Sequence, residues 1–280
     1  VIISDHKKFM FLHNPKAAGT SIRRALFEYD TNEYQLEYQR YFAGIDRVVE
    51  LFHVPAAELK TVWPRINLKE YFTFGFVRHP YDRLFSAWDE YRRQHPDQVN
   101  AEFNEWARKH LTRANVRYDW EFTHFCPQYY FFYEGNKCIA DYIGRHENLY
   151  RDWRNVCRLA GIEYKELGHE KEHGKYKLPS RLGLSDIAED VLERIHDIYE
   201  MDFILFGYQM PATAEIARGR HLNVIERNTH PWYKYDPCGD VRNLSVPEQC
   251  GYWREAAAEQ MDRADGYLRQ LEELRKKHGI

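Results

Sequence analysis

Three small groups of residues carry the chemistry of this chain. Lys16, Gly19, Thr20 and Ser21 share the stretch NPKAAGTS, residues 14–21; Arg78, Arg83 and Ser86 share RHPYDRLFS, residues 78–86; His53 stands alone in FHVPAAELK, residues 52–60. Small residues let a backbone come close to a ligand, and a lysine with hydroxyls beside it suits an anion. At a helix start the free N–H groups and the positive dipole end add to the attraction. An arginine and a serine that converge suit a phosphate monoester dianion. A histidine is the side chain best placed to take a proton near neutral pH.

The first group is close to a nucleotide-binding P-loop and departs from it instructively. When G-x-x-x-x-G-K-[ST] is laid over residues 14–21, Gly19 and Ser21 keep the second glycine and the hydroxyl. Asn14 replaces the first glycine, Thr20 takes the lysine position, and the lysine moves into the loop at Lys16. A magnesium-dependent triphosphatase needs its lysine on the β/γ-phosphates and its hydroxyl on the metal. The loop therefore suits an anion other than a triphosphate.

The elements that must present these groups are legible in the spacing. Residues 10–13 read as a buried strand, and Ile22, Leu26 and Tyr29 recur at helical intervals, so Thr20 or Ser21 should open a helix. RVVELFH (47–53) and YFTFGFVR (71–78) read as further strands, each followed by proline and helical spacing, with Leu84, Trp88 and Tyr91 on one helix face. CIADYIGRHENL (138–149) reads as a strand and turn, residues 153–159 as a helix, and Ile187, Val191, Ile195 and Ile198 as a longer helix, after which MDFILFGY closes the core. The β-α-β-α alternation predicts an α/β fold with a parallel central sheet. Residues 1–210 form the expected core and 211–280 a C-terminal extension, loop-rich and then helical, with Met261, Leu268, Leu271 and Leu274 along one side. That extension could pack on the core, cover a site, or pair two subunits as a homodimer.

Composition narrows the partners. A net charge of −3 over 280 residues gives no global field for nucleic acid, so anion binding must come from local clusters such as Arg78/Arg83 or Lys175/Lys177/Arg181. The 21 tyrosines and 7 tryptophans fit either an aromatic core or ring-stacking surfaces for sugars or bases, and composition alone does not choose. Cys126, Cys138, Cys157, Cys238 and Cys250 are odd in number and lack paired C-x-x-C spacing, which announces neither a zinc site nor a disulfide framework. No run of 18 apolar residues is present, so no membrane segment is expected in this chain. Free thiols lead us to expect a reducing compartment, the cytoplasm, unless an anchor lies upstream of residue 1.

PKAAGTS resembles the 5′-phosphosulfate loop, and RHPYDRLFS the 3′-phosphate motif R-x-P-x-x-R-x-x-S, of the sulfotransferases that use 3′-phosphoadenosine 5′-phosphosulfate (PAPS). The resemblance is greatest to the carbohydrate sulfotransferase branch, which has segments similar to PQYYFFYEG, DYIGRHENLYRDW and YEMDFILFGY, and it runs in order from about residue 9 to residue 208. It implies a P-loop-like three-layer α/β/α fold and metal-independent transfer of a sulfuryl group to a hydroxyl, most often on a saccharide. By the same resemblance the N–H groups of Ala17, Ala18, Gly19, Thr20 and Ser21 would hold the 5′-phosphosulfate. Lys16 would stabilise charge on the leaving oxygen, and Arg78 and Ser86 would clamp the 3′-phosphate. His53 is the expected general base, with His13 and Glu58 as substitutes; Gln128 and Arg145 could contact acceptor or donor by family position.

Two other signals carry less. HEKEH (169–173) matches the zinc-protease pattern H-E-x-x-H, but glycines bracket it and its flanks are charged, which suits a solvated loop. GKYKLPSR (174–181) could bring Lys175, Lys177 and Arg181 over the donor. The rival readings are a P-loop kinase or nucleotide hydrolase, against which the displaced lysine and the 3′-phosphate motif both speak, and a catalytically silent nucleotide-binding scaffold.

Overall fold

A computed structural model describes residues 1–95, 97, 101–168 and 182–210. Its strands are β1 (Ile2–Ser4), β2 (Phe9–Leu12), β3 (Gln39–Phe42), β4 (Arg47–Glu50), β5 (Phe72–Val77), β6 (Tyr133–Glu134), β7 (Lys137–Cys138) and β8 (Tyr142–Arg145). Its α-helices are α1 (Gly19–Leu26), α2 (Leu59–Val62), α3 (Pro80–Gln94), α4 (Phe103–His110), α5 (Arg113–Tyr118), α6 (Leu149–Leu159) and α7 (Glu189–Leu205). The sheet that positions the site has the order β1-β2-β5-β8.

Within that sheet β2, β5 and β8 run parallel, as the alternation of strands and helices predicts, whereas β1 pairs antiparallel with β2. The parallel sheet expected from the sequence is therefore a mixed one. The reason is the length of the connection: residues 5–8 make a tight turn with Lys8 at φ 53°, far too short for the crossover that a parallel neighbour requires. A second correction concerns residues 47–53. Their strand ends at Glu50 and pairs antiparallel with β3, across a short turn with Asp46 at φ 48°, as a separate two-stranded sheet. His53 consequently lies in a turn beyond the hairpin.

The central strands are buried on both faces, and their side chains alternate between two cores. Phe9, Phe11, Phe72, Phe74 and Phe76 pack against Ile22 and Leu26 of α1 and Trp153 and Val156 of α6. Met10, Leu12 and Val77 face the other way, onto Val49, Leu59, Trp63, Phe131 and Phe206. A third cluster joins α3, α4 and α7 through Leu84, Trp88, Trp106, Ile195 and Phe203. Burial of each such side chain contributes about 1.5–3 kcal/mol, and among the described residues more of the aromatic side chains are buried in these cores than are not. Trp120 and Tyr118 are among the exposed large side chains. Cys126, Cys138 and Cys157 are free thiols.

This topology brings the C-terminal ends of the parallel strands β2, β5 and β8 to one edge. Each is followed by a loop and then by α1, α3 and α6, respectively, the arrangement in which open α/β sheets bind ligands. No helix among the described residues is long and apolar enough to cross a membrane.

Candidate active site

The loop after β2 is held in a conformation its sequence does not favour by itself. Lys16 and Ala18 have φ of 63° and 67°, left-handed values that cost non-glycine residues about 1 kcal/mol or more each. Asn14, at the place of a P-loop's first glycine, ties the loop down: its amide donates to the Phe76 carbonyl at 2.8 Å and to Gln128 Oε1 at 2.9 Å. Gly19 opens α1 under the ring of His13, and a Cβ there would lie 1.6 Å from His13 Nε2. Among the described residues, no acceptor meets the backbone N–H of any residue from 16 to 21. Consecutive free donors at a strained turn and a helix start make an anion cradle.

Arg78 reaches that cradle from the neighbouring strand. It follows β5, and its Nη1 donates to the Lys16 carbonyl at 3.4 Å, so the two sequence motifs meet in space. Gln128 sets the arginine's position: its Oε1 accepts from the Arg78 N–H at 2.9 Å and its Nε2 donates to the Arg78 carbonyl at 2.8 Å. Gln128 is itself fully buried, with the Asp202 carboxylate accepting from its backbone N–H. Burial raises the Asp202 pKa to about 6. The amide that family position made a ligand contact is thus spent on holding the cradle. The His79 N–H donates to Glu147 Oε1 at 2.7 Å, fixing the turn into α3.

The remaining members of the loops are placed as follows. Lys16 Nζ lies 3.3 Å from Glu90 Oε2 on α3; burial lowers its pKa and Glu90 opposes the shift. Ser21 Oγ donates to the Gly168 carbonyl at 3.0 Å, and Thr20 is exposed at the start of α1. Ser86 is half-buried on α3. Arg83 departs from the expectation of a local anion cluster. It is fully buried and donates to the carbonyls of His124 and Cys126 at 2.9 and 2.8 Å, so its charge orders that segment. Arg145 donates to the Phe206 carbonyl and stacks on the Tyr208 ring at 4.5 Å, joining β8 to the end of α7. Lys175, Lys177, Arg181, the HEKEH stretch and the C-terminal extension lie outside the described residues.

His53 is buried beside the cradle in a cluster of imidazoles. Its ring centroid lies 4.1 Å from that of His13 and 5.4 Å from that of His124. Its Nδ1 lies 2.8 Å from the His13 carbonyl, and a carbonyl only accepts, so Nδ1 carries the proton. Burial first, then the neighbouring His124, pushes the His53 pKa well below 6.5, which leaves the ring neutral with the lone pair on Nε2. His13 is lowered likewise, and His124 is lowered to about 4, each chiefly by burial. Glu50 Oε1 stands 3.7 Å from His53 Nε2, and its carboxyl is raised to about 7 by burial. A cavity of about 30 Å³ adjoins His53 and Glu50, with Thr123 and Trp120 also on its wall.

Glu58 lines the same cavity but is committed to other partners. Its carboxylate is paired with Arg47 and, at 3.1 Å, with Arg117, so its charge holds the hairpin to α5 and is not available as a base. Sequence reasoning missed Glu50, Glu90, His124 and Asp202. Glu50 precedes His53 by three residues and could have been noticed; His124 and Asp202 come from distant segments with no local signal.

Comparison with known proteins gives the family. Residues 1–209 match the model of the sulfotransferase family. Carbohydrate sulfotransferase 11 of Rattus norvegicus is 23% identical over 253 residues, covering 75% of this chain and 67% of that protein. Carbohydrate sulfotransferase 14 of Danio rerio is 24% identical, with 76% of this chain and 63% of that protein covered. Carbohydrate sulfotransferase 10 of Xenopus laevis is 25% identical, with 75% and 68% covered. The chain therefore spans about two thirds of the length of these relatives. No solved structure matches it. With three quarters of its length accounted for by the family model, the chain belongs to the sulfotransferase family and is an enzyme of that kind.

Proposed function

We propose that this enzyme moves the sulfuryl group of PAPS to a hydroxyl of a saccharide, with His53 as general base. The observation that carries the donor is the junction of the free N–H groups of residues 16–21 with Arg78 across two parallel strands. The names of the relatives support the saccharide acceptor. We assign the core, residues 1–210, to the P-loop-like α/β/α class, a reading supported by its three strand–loop–helix units and by a family match that ends at residue 209. A saccharide acceptor favours the Golgi lumen over the cytoplasm as the setting.

In this reading PAPS supplies an activated sulfuryl group, and the chain's residues do the rest. The loop N–H groups and the Thr20 hydroxyl hold the 5′ end, joined by Ser21 Oγ once it turns from the Gly168 carbonyl, while Arg78 and Ser86 hold the 3′-phosphate. His53 Nε2 takes the acceptor proton as the acceptor oxygen bonds to sulfur, and Nδ1–H on the His13 carbonyl keeps the ring turned for that task. Lys16 stabilises the oxygen that leaves with the phosphate, where negative charge grows most in the transition state. An anion in the cradle would raise the pKa of His53 toward neutrality, strengthening the base where it is needed.

The test is thermal unfolding in metal-free buffer with the desulfated product, 3′-phosphoadenosine 5′-phosphate, against ATP, followed by transfer to a panel of saccharides. The product should raise the melting temperature far more than ATP does. Equal stabilisation by both would overturn the donor assignment, and sulfation only of non-saccharide hydroxyls would overturn the acceptor.

A further inference from the structure

We infer that Glu50, His53 and His124 form a binding site for a divalent transition metal of the zinc class, and that the bound ion switches the enzyme off. One ligand atom from each residue lies within 4.8 Å of the other two. Two imidazoles and a carboxylate are a donor set that suits zinc with a coordination position left open. Ligand atoms bound to one tetrahedral zinc at about 2.1 Å stand roughly 3.4 Å apart, so the 3.7 Å between His53 Nε2 and Glu50 Oε1 needs little adjustment.

The surroundings of each ligand are also those of a metal site. His53 donates its other ring N–H to a backbone carbonyl, the outer contact that fixes tautomer and ring direction in metal-bound histidines. The Tyr38 hydroxyl favours the charged form of the Glu50 carboxylate. Arg83 anchors the backbone of His124 at its carbonyl. The cavity of about 30 Å³ beside Glu50 and His53 has room for an ion's water. The cations that oppose occupancy are Lys16, matched by Glu90, Arg83 beside His124, and Arg47 and Arg117 on the cavity wall, both matched by Glu58.

Inhibition follows from the atom used. A bound ion would take the Nε2 lone pair of His53, the same lone pair that is proposed to receive the acceptor proton. This consequence rests on the proposed role of His53; the binding does not.

The experiment titrates the full chain with Zn²⁺ in competition with a chromophoric chelator and repeats the titration with Co²⁺, read by visible absorption. Glu50→Gln and His124→Asn should each weaken the site at least tenfold while keeping the far-ultraviolet circular dichroism of the parent. His169→Asn/His173→Asn, which removes the H-E-x-x-H histidines, should leave it unchanged, and the Co²⁺ spectrum should lack a thiolate charge-transfer band. In the transfer assay Zn²⁺ should inhibit the parent reversibly, and half-inhibition of His124→Asn should need at least ten times more. Unchanged affinity in both Glu50→Gln and His124→Asn, or loss of the site in the His169/His173 variant, would overturn the inference. Zinc bound at these residues in a chain that transfers no sulfuryl group would instead overturn the proposed function and leave the metal site standing. Normal transfer by a zinc-loaded enzyme would overturn the inhibition.

Discussion

The anion cradle and the histidine pocket touch each other but are built in opposite ways. The cradle comes from two contiguous strand–loop–helix units, β2 to α1 and β5 to α3, and its donors are mostly backbone N–H groups. The pocket comes from three separate segments, around His13, the turn 50–53 and His124, and its working atoms are all side chains. A backbone site needs small residues and a fixed path. A side-chain site needs only that the fold bring the right atoms together, so it leaves less trace in any one stretch. The contrast also divides the chemistry: the cradle would hold and activate the leaving group, and the pocket would handle the acceptor proton.

The largest effects should separate those two roles. His53→Ala should bind 3′-phosphoadenosine 5′-phosphate nearly as the parent does yet lose roughly 100-fold or more in turnover. Lys16→Ala should lose a similar amount, but its defect should shrink with a donor analogue whose leaving group departs easily, and that of His53→Ala should not. Near-normal turnover in His53→Ala would move the base to His13, since Glu58 is committed to two arginines. Next, Arg78→Ala should weaken binding of the 3′-phosphorylated nucleotide by about 2–5 kcal/mol, a cost expected where a buried partner charge is left unpaired. Adenosine 5′-phosphate should be affected much less, and calorimetric titration of both ligands reads the difference.

Gly19→Ala tests the seam between the two regions. The added methyl would displace the His13 ring, costing about 1–3 kcal/mol in stability as an overpacked site. Denaturant unfolding should show that loss together with weaker product binding; an unchanged midpoint would mean that His13 moves aside freely.

A smaller effect belongs to the pocket alone. His124 titrates near 6.5 when unfolded and near 4 when folded, so the unfolded chain takes its proton first as pH falls. The stability it contributes is complete above pH 6.5 and is lost toward pH 4 at up to about 1.4 kcal/mol per pH unit. His13 and His53 act with the same sign. Glu50, raised from 4.5 to about 7, acts with the opposite sign, since the folded form keeps its proton longer and stability falls as pH rises through that window. In metal-free buffer His124→Asn should flatten the acid loss measured by urea unfolding at a series of pH values; an unaltered slope would show that His124 is solvated. The smallest expected change is in Glu90→Gln, which removes a negative charge beside the cradle. It should tighten binding of the anionic product a few-fold, in line with about 1 kcal/mol or less for a partly exposed ion pair.

Much of the cradle is legible in the sequence. The order of small residues around Lys16 and Gly19, and the apolar runs of β2 and β5, are local patterns read by local rules. The family likeness carried by PKAAGTS and RHPYDRLFS holds over residues 1–209. What misled was also local in origin. Residues 47–53 have the composition of a central strand, but a strand's neighbour is decided by connection length and available edges, and here a four-residue turn closes a hairpin. Arg83 looked like an anion ligand because it sits in a basic stretch, whereas the helix turns it inward to two carbonyls.

The sequence by itself determined which backbone could bend into a cradle and which residue types lie on it, because glycine, lysine and helix-start hydroxyls act within a few residues of their own positions. Only the tertiary structure decided that Asn14 and Gln128 lock the two loops together, that Glu58 is spent on arginines, and that Glu50, His53 and His124 face one another. Those outcomes depend on contacts between segments tens of residues apart, where the energies of burial and pairing are set by packing rather than by any local pattern.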